Sequence, residues 1–234
     1  MTVWLITREF ADARVECARL AAVGLSGQPF PCVETRPLPW PWLDAPPDAW
    51  TMFTSANAVE SWISSPQPSL GTIAATRSAA TRLRKAGIEV ELEINGGTVA
   101  LANALLRHAR WSDSAPQPRV VRYPTSKLGM KSEDQNETVR LLRPARVDRK
   151  AAYDVFEPTM LRATPLPEEY AVVFFSPSAV IHFLTAKGSE GAPRHVVCSG
   201  FSTFREWNMR RPTPWPIAHL TSDVPATLLE VTPP

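Results

Sequence analysis

Short apolar segments alternate along the chain with longer segments whose apolar residues recur every three or four positions. The short segments predict β-strands, and the longer ones predict amphipathic helices. We predict strands at residues 3–6, 28–33, 51–54, 72–75, 88–92, 120–123, 147–156, 172–175, 196–198 and 217–219. We predict helices at 10–23, 56–63, 79–86, 99–108, 179–186 and near 204–210, and a further helix that ends over 137–142. Strands that alternate with helices in this way predict an α/β fold with parallel sheets.

One stretch of sequence occurs twice. Residues 53–59 (FTSANAV) align with residues 174–180 (FFSPSAV) at an offset of 121, and residues 3–8 align loosely with residues 120–125. The two ends of the chain therefore form one domain, and the middle supplies a similar second one. We expect two similar parallel-sheet α/β domains, one discontinuous, joined by a two-stranded linker. Their expected ranges are 1–33 with 158–234 for the discontinuous domain, 38–152 for the inserted domain, and about 34–37 and 153–157 for the linkers.

Composition and charge argue against a nucleic-acid-binding, membrane or secreted protein. The net charge is only +2, and the arginines form no stripe interleaved with aromatic residues, so we expect no nucleic-acid partner. No apolar run reaches the length of a membrane span or of a secretory signal, and three cysteines without CxxC spacing are typical of reduced thiols. We therefore expect a cytoplasmic protein without a membrane partner. The 24 prolines favour stiff connections, and the proline-dense passage 37–47 indicates a linker.

Polar residues cluster where the predicted strands end, which is where ligands bind in open parallel sheets. They are Thr7, Arg8, Thr54, Ser55, Asn57, Thr125, Ser126, Ser176 and Ser178. Ser55 and Ser176 each precede a predicted helix, so helix capping by itself accounts for them. Capping is compatible with a binding role, because the free N–H groups of a helix N-terminus attract anions. Two such sites facing one another would suit a ligand with several carboxylates.

Familiar catalytic motifs do not occur in the sequence. There is no HExxH, GxSxG, Walker or GxGxxG pattern, and the four histidines are isolated from one another. Cys198 ends an apolar strand, which indicates a buried thiol rather than a nucleophile. The sequence predicts no metal site.

Five short motifs, in their order and spacing, resemble the uroporphyrinogen-III synthase family. They are FTSANAV, YPTS at 123–126, Val147 with Tyr153 six residues later, FFSPSAV, and Gly200 with Thr203. The opening strand followed by Thr7 and Arg8 agrees as well, so the resemblance covers nearly the whole chain. It implies two α/β domains, one discontinuous, on a two-stranded linker. It also implies a cyclising lyase of haem biosynthesis that turns hydroxymethylbilane into uroporphyrinogen III, inverting the D ring through a spiro intermediate, without a cofactor.

The resemblance assigns roles to individual residues. Tyr153 matches the family's tyrosine beside the cleft, where a protonated phenol could donate to the departing hydroxyl; packing on a linker strand explains it equally well. The implied substrate-binding residues are Thr7, Arg8, Thr54, Ser55, Asn57, Ser126, Ser176, Ser178, Gly200 and Thr203. The implied partner is the linear tetrapyrrole itself, and nothing requires more than a monomer.

The middle domain departs from the family pattern. The family's V-G-x-x-T turn falls here on residues 75–79, where glycine is replaced by Thr76 and threonine by Ala79. Threonine does not adopt positive φ cheaply, and alanine has no hydroxyl. A divergent active synthase and a non-catalytic member that binds a tetrapyrrole or another polycarboxylate therefore both stay open. A hinged effector-binding regulator is a third class, which the absence of a helix-turn-helix segment disfavours.

Overall fold

The computed structural model describes residues 2–46, 48–108, 120–131, 133–143, 145–221 and 223–231, with the side chains of these residues except 133–135. Contacts between Cα atoms divide the chain into two compact units. Unit 1 comprises Met1–Glu34 and Phe156–Pro234, and unit 2 comprises Thr35–Val155. The chain thus passes between the units twice. Within the described ranges, no helix is both long enough and apolar enough to cross a membrane.

Strands and helices alternate along the described chain. The strands are β1 (Val3–Ile6), β2 (Gly27–Pro29), β3 (Glu34–Pro37), β4 (Trp50–Phe53), β5 (Thr72–Thr76), β6 (Leu92–Ile94), β7 (Val120–Ser126), β8 (Arg146–Phe156), β9 (Tyr170–Phe174), β10 (Val196–Ser199) and β11 (His219–Thr221). The α-helices are α1 (Phe10–Ala21), α2 (Ala56–Ile63), α3 (Arg77–Lys85), α4 (Thr98–Arg107), α5 (Glu133–Leu141), α6 (Pro177–Lys187), α7 (Phe201–Arg210) and α8 (Val224–Val231), with a 3₁₀ turn at Gly129–Lys131.

The two sheets share one strand order. The sheet of unit 1 runs β11-β10-β9-β1-β2, and the sheet of unit 2 runs β6-β5-β4-β7-β8, with β3 added beside β8. β4 carries the first copy of the repeated sequence and β9 the second, and each is the third strand in this order. β1 and β7, which the loose alignment pairs, are each the fourth. The strand pairs of both sheets are parallel where their register is defined, which confirms the predicted fold class.

Each sheet is buried from both sides, as parallel sheets require. In unit 1, Trp4 and Ile6 of β1 pack with Val173, Val197 and Leu20 in one apolar cluster. In unit 2, the residues of β4 alternate between two clusters: Phe53 packs with Trp62 and Leu83, whereas Met52 packs with helix α4 on the other face. These cores hold the strand ends of each unit in place.

The proline-dense passage is not a free connection, contrary to the linker interpretation. Trp40 and Trp42 belong to the core of unit 2. Arg122 on β7 donates through Nη1 to the Leu43 carbonyl and through Nη2 to the Asp44 carbonyl, each at 2.8 Å. Prolines prevent regular strand or helix here, so side chains from β7 and the core hold the segment instead.

Three predicted strands are displaced. β6 begins at Leu92 and not at residue 88 as predicted. Leu92, opposite Ala74, is the first residue of the strand that pairs with β5. β11 starts at His219 rather than at 217, since the preceding residues are tied to α7: Trp207 Nε1 donates to the Pro216 carbonyl, and Asn208 Oδ1 accepts from the Ala218 N–H. β2 ends at Pro29 within a stretch interrupted by prolines, which cannot donate to a ladder. Helix α8 was not predicted.

Candidate functional site

Three neighbouring strands of unit 1 end in predicted site residues. Because β1, β9 and β10 are adjacent and parallel, their carboxyl ends lie along one edge of the sheet. We call it the unit 1 edge, defined by the residues that follow or lie near these strand ends: Thr7, Arg8, Ser176, Ser178, Gly200 and Thr203. The fold thus brings all of the predicted binding residues of this unit to one side of the sheet.

Thr7 and Arg8 are already engaged in the unit. The Thr7 hydroxyl is fully buried and donates to the Val173 carbonyl at 2.8 Å, so it joins β1 to β9. Arg8 is paired with Asp12 at 3.1 Å, and its guanidinium lies 4.9 Å from the centre of the Phe175 ring. The Arg8 side chain is 39% exposed, and an exposed ion pair of this kind contributes at most about 1 kcal/mol. A carboxylate ligand can therefore replace Asp12 as the partner of Arg8.

Two helices of unit 1 begin at this edge. Ser176 caps α6, accepting a hydrogen bond from the Ala179 N–H at 3.2 Å, and Pro177 occupies the first helical turn. Gly200 precedes α7 with φ 97°, a left-handed value that glycine adopts without strain. Thr203 is buried in the first turn of α7. The edge therefore offers two helix N-termini, which attract anions.

The unit 2 edge is built in the same way. Its members are Thr54, Ser55 and Asn57 after β4, Thr76 at the end of β5, Ser126 at the end of β7, and Tyr153 on β8. These four strands are neighbours in the order β8-β7-β4-β5, and they are parallel. All of the predicted site residues of unit 2 therefore share one edge of the sheet.

Hydrogen bonds fix much of the unit 2 edge. Ser55 caps α2 by accepting from the Asn57 N–H at 3.2 Å. Ser126 is buried, and its Oγ accepts from the Gly129 N–H at 2.8 Å, which closes the turn after β7. The Tyr153 carbonyl accepts from the Lys127 N–H at 3.0 Å, and its side chain is partly buried against the core. The serines thus shape the edge whether or not they also touch a ligand.

The residue before α3 has a different backbone conformation from the glycine at the corresponding position of unit 1. Thr76 takes the N-cap position of α3 with φ −70°, where Gly200 before α7 has φ 97°. Ala79 and Thr203 are each the third residue of their helix, and both are buried. The threonine is therefore accommodated in an extended backbone without positive φ, and the hydroxyl of Thr203 has no counterpart at Ala79.

Sequence reasoning did not include two polar side chains of unit 2 in the site. Thr76 Oγ1 is buried and has no hydrogen-bond partner among the described residues. Tyr123 is fully buried on β7, and burial raises its pKa to about 12. Tyr123 lies within the YPTS motif and Thr76 is the departure from the family's turn, but neither sequence signal indicates burial.

The described residues of the two edges offer hydroxyl groups, helix N-termini, the Arg8 guanidinium, the Asn57 carboxamide and the Tyr153 phenol. In the described part of the chain, no group of three or more His, Cys, Asp or Glu side chains is arranged to hold a metal ion. Hydroxyl and N–H donors of this kind bind carboxylates. A phenol that is protonated at neutral pH can in addition donate a proton.

Comparison with known proteins identifies the family. A family model described as uroporphyrinogen-III synthase HemD matches residues 17–211, well over half of the chain. The crystal structure of uroporphyrinogen-III synthetase from Helicobacter pylori 26695 is similar with a TM-score of 0.62 and 16% identity, covering 98% of both chains. A mutant uroporphyrinogen III synthase from the extremely thermophilic bacterium Thermus thermophilus is similar with a TM-score of 0.56 and 15% identity, covering 98% of this chain and 96% of that one. No curated protein matches the sequence. The structures agree in fold, and the family model decides the assignment: this chain belongs to the uroporphyrinogen-III synthase family.

Proposed function

We propose that this protein is a working synthase, which binds hydroxymethylbilane at the two carboxyl edges and releases uroporphyrinogen III. The observation that carries the proposal is the family match over residues 17–211, which supports tetrapyrrole cyclisation as the activity. The edges supply the chemistry that such a substrate needs, because a linear tetrapyrrole is flexible and carries many carboxylates. Catalysis is then largely a matter of holding the chain so that closure follows inversion of the D ring.

Substrate carboxylates are assigned to the helix N-termini and hydroxyls of the edges. In unit 1 the candidates are Arg8 together with Ser178, and the starts of α6 and α7. In unit 2 they are Asn57, Thr54 and the start of α2. The side chain of Thr7 acts through the position of its strand, because its hydroxyl is bonded to the Val173 carbonyl. The same reasoning makes Ser55, Ser126 and Ser176 positioning residues whose hydroxyls shape the edges.

Tyr153 is assigned the proton transfer. As the carbon–oxygen bond of the substrate breaks, the phenol donates its proton and the hydroxyl leaves as water. The proton lost from the pyrrole carbon at ring closure balances the one donated, so the overall change is the loss of one water. Support comes from the place of Tyr153 beside Ser126 at the unit 2 edge. A role in packing against the core is the alternative, since the ring is partly buried there.

We also propose that the protein is a cytoplasmic monomer without a nucleic-acid or membrane partner. Its proposed domains are residues 1–33 with 158–234 and residues 38–152, and its proposed linkers are residues 34–37 and 153–157. The three free cysteines, two of them buried, are compatible with a reducing compartment.

A second candidate is a family member that binds a tetrapyrrole or another polycarboxylate without turnover. The specific observation in its favour is Ala79, a buried residue without a hydroxyl at the position where unit 1 has Thr203.

A coupled assay separates the two candidates. Hydroxymethylbilane is generated in situ in the presence of the protein, and the oxidised uroporphyrin isomers are separated by chromatography. A synthase yields mostly isomer III, whereas without enzyme the substrate closes to isomer I. Isomer I at the rate of the protein-free reaction contradicts the proposal, and measured affinity for the tetrapyrrole would then favour the binding protein.

A further inference from the structure

The lining of one cavity in unit 2 includes none of the residues assigned to the unit 2 edge. It has a volume of about 590 Å³ and is formed by the end of the 3₁₀ turn, helix α5 and the first half of β8. Its polar lining consists of Arg140, Arg143, Arg149, Asn136 and Asp148. None of these residues has a part in the proposed synthase reaction.

The two terminal nitrogens of the Arg149 guanidinium differ in their surroundings. Nη2 donates to the Met130 carbonyl at 3.0 Å and to Asn136 Oδ1 at 2.9 Å. Nη1 is buried and, among the residues that the structure describes, makes no hydrogen bond. A buried charged donor that lacks a hydrogen-bond partner is unfavourable. Within the described residues, the Arg149 guanidinium is thus held in place at the cavity by two hydrogen bonds and has no carboxylate partner.

The described lining residues of the cavity carry more positive than negative charge. Arg140 and Arg143 are exposed, three residues apart near the end of α5, and neither forms an ion pair with a described residue. The carboxylate of Asp148 does not offset them, because its Oδ2 already accepts from Trp42 Nε1 at 2.7 Å and faces Lys150 Nζ at 3.6 Å. Among the described lining residues, three arginines therefore stand against one carboxylate, which is engaged with Trp42 and Lys150.

We propose that this cavity binds an oxyanion that presents at least two negatively charged oxygens, as a phosphoryl or polycarboxylate group does. Arg149 supplies a fixed positive charge in the lining, and the exposed Arg140 and Arg143 donate to the oxygens of the anion. Planar guanidinium groups match such oxygen pairs in a bidentate way. The site is independent of the proposed synthase activity, since it uses none of the edge residues.

The test measures anion binding by calorimetry at constant ionic strength, with chloride as the balancing salt. The probes are inorganic pyrophosphate for a phosphoryl source and citrate for a carboxylate source. The variant is Arg140→Gln with Arg143→Gln, because both side chains are exposed and their replacement leaves the bonds of Arg149 intact. The matched control is Arg14→Gln with Lys85→Gln, two exposed cations on α1 and α3 that do not line the cavity.

We expect wild type and control to bind at least one probe. The variant should bind the same probe with an affinity lower by a factor of roughly ten or more, because it loses charge-assisted hydrogen bonds. Preference for pyrophosphate or for citrate identifies the source of the oxyanion. Failure of both probes to bind wild type overturns the proposal. Equally weakened binding in the variant and the control also overturns the proposal, because the loss of affinity would then follow from the lower net charge of the protein and not from the cavity.

Discussion

Ser126 lies opposite Tyr153 across the β7–β8 pair, although the pair before it joins Thr125 to Ala151. Ala152 is therefore an extra residue in β8, a bulge that interrupts the alternation of side chains. Ala152 is fully buried in the core, whereas Tyr153 is partly exposed at the unit 2 edge. One inserted residue thus decides that the tyrosine ends beside a serine at the carboxyl end of the neighbouring strand.

Replacing Tyr153 with phenylalanine tests its assigned proton transfer. We expect kcat to fall ~10-fold and the melting temperature to stay nearly unchanged, because the variant loses one positioned proton donor but keeps the ring in place. The coupled isomer assay measures kcat, and thermal unfolding measures stability. Wild-type kcat in Tyr153→Phe would remove the phenol from the chemistry and leave the packing role.

Tyr170 provides the matched control for that variant. Tyr170 is the first residue of β9, at the end of the strand opposite the unit 1 edge, and its hydroxyl donates to the Gly191 carbonyl. Tyr170→Phe is expected to lose about 1 kcal/mol of stability through this hydrogen bond and to retain kcat. The two variants thus give opposite patterns of stability and activity.

Removing the hydroxyl of Thr76 is expected to leave the free energy of unfolding unchanged or slightly higher. The buried Thr76 Oγ1 has no partner within the described residues, so Thr76→Val or Thr76→Ala removes an unsatisfied polar atom. If the hydroxyl serves a substrate carboxylate, KM rises severalfold at the same time. Thermal unfolding and steady-state kinetics provide the two readings.

Thr51 on the neighbouring strand β4 is the comparison residue. Its buried hydroxyl donates to the Leu70 carbonyl, so Thr51→Val should lose roughly 1–3 kcal/mol. An equal loss of stability at Thr76 would show that its hydroxyl has a partner within the fold.

Stability should fall in alkaline solution because of Tyr123. Its pKa is about 12 in the folded protein and 10 when unfolded, so the folded state holds the proton more tightly. The contribution is fully present below pH 10 and is lost as pH rises from 10 to 12, by roughly 2–3 kcal/mol in total. Urea unfolding from pH 8 to pH 11 measures the decline in wild type and in Tyr123→Phe.

The difference between those two proteins isolates Tyr123. Burial also raises the pKa of Cys198 to about 12, and this thiol contributes to the alkaline decline of both proteins equally. Parallel profiles would mean that Tyr123 ionises as readily in the folded as in the unfolded chain.

The three thiols should react in a fixed order. Cys17 is partly exposed, whereas Cys32 and Cys198 are buried, and burial raises the pKa of all three. Only the thiolate reacts with iodoacetamide, so at pH 8 the native protein should be modified first at Cys17, and slowly. Peptide mapping identifies the site, and all three thiols should react in denaturant. Modification of Cys198 at the rate of Cys17 would contradict its burial in β10.

Much of the fold could be predicted from local pattern. Helix α2 was predicted at its observed bounds, β1 likewise, and the repeated sequence anticipated that β4 and β9 hold the same place in two similar sheets. Strands with weak apolar pattern were misplaced, because their position depends on the neighbour with which they pair. β6 and β11 are short edge strands of this kind.

The candidate site divides in the same way. The polar residues after strand ends were recognisable from sequence, since a parallel sheet collects its carboxyl ends along one side, and the structure does place them on two edges. Their contact with substrate stays a prediction. The burial of the Thr76 hydroxyl, which has no partner in the described part of the chain, and of the Tyr123 phenol could not be predicted, because burial is a property of the packed unit.

Sequence alone was enough to establish the α/β class, the internal repeat, the family resemblance and the residues that end the strands, since periodicity and short motifs are local and survive in the primary structure. Packing within each unit was needed for the bulge at Ala152, the extended backbone of Thr76, the anchoring of the proline-dense passage by Arg122, and the burial of Arg149 Nη1 without a hydrogen-bond partner among the described residues. Each of these depends on which distant residues meet in the packed units, where strand register, burial and the pairing of polar atoms are settled together.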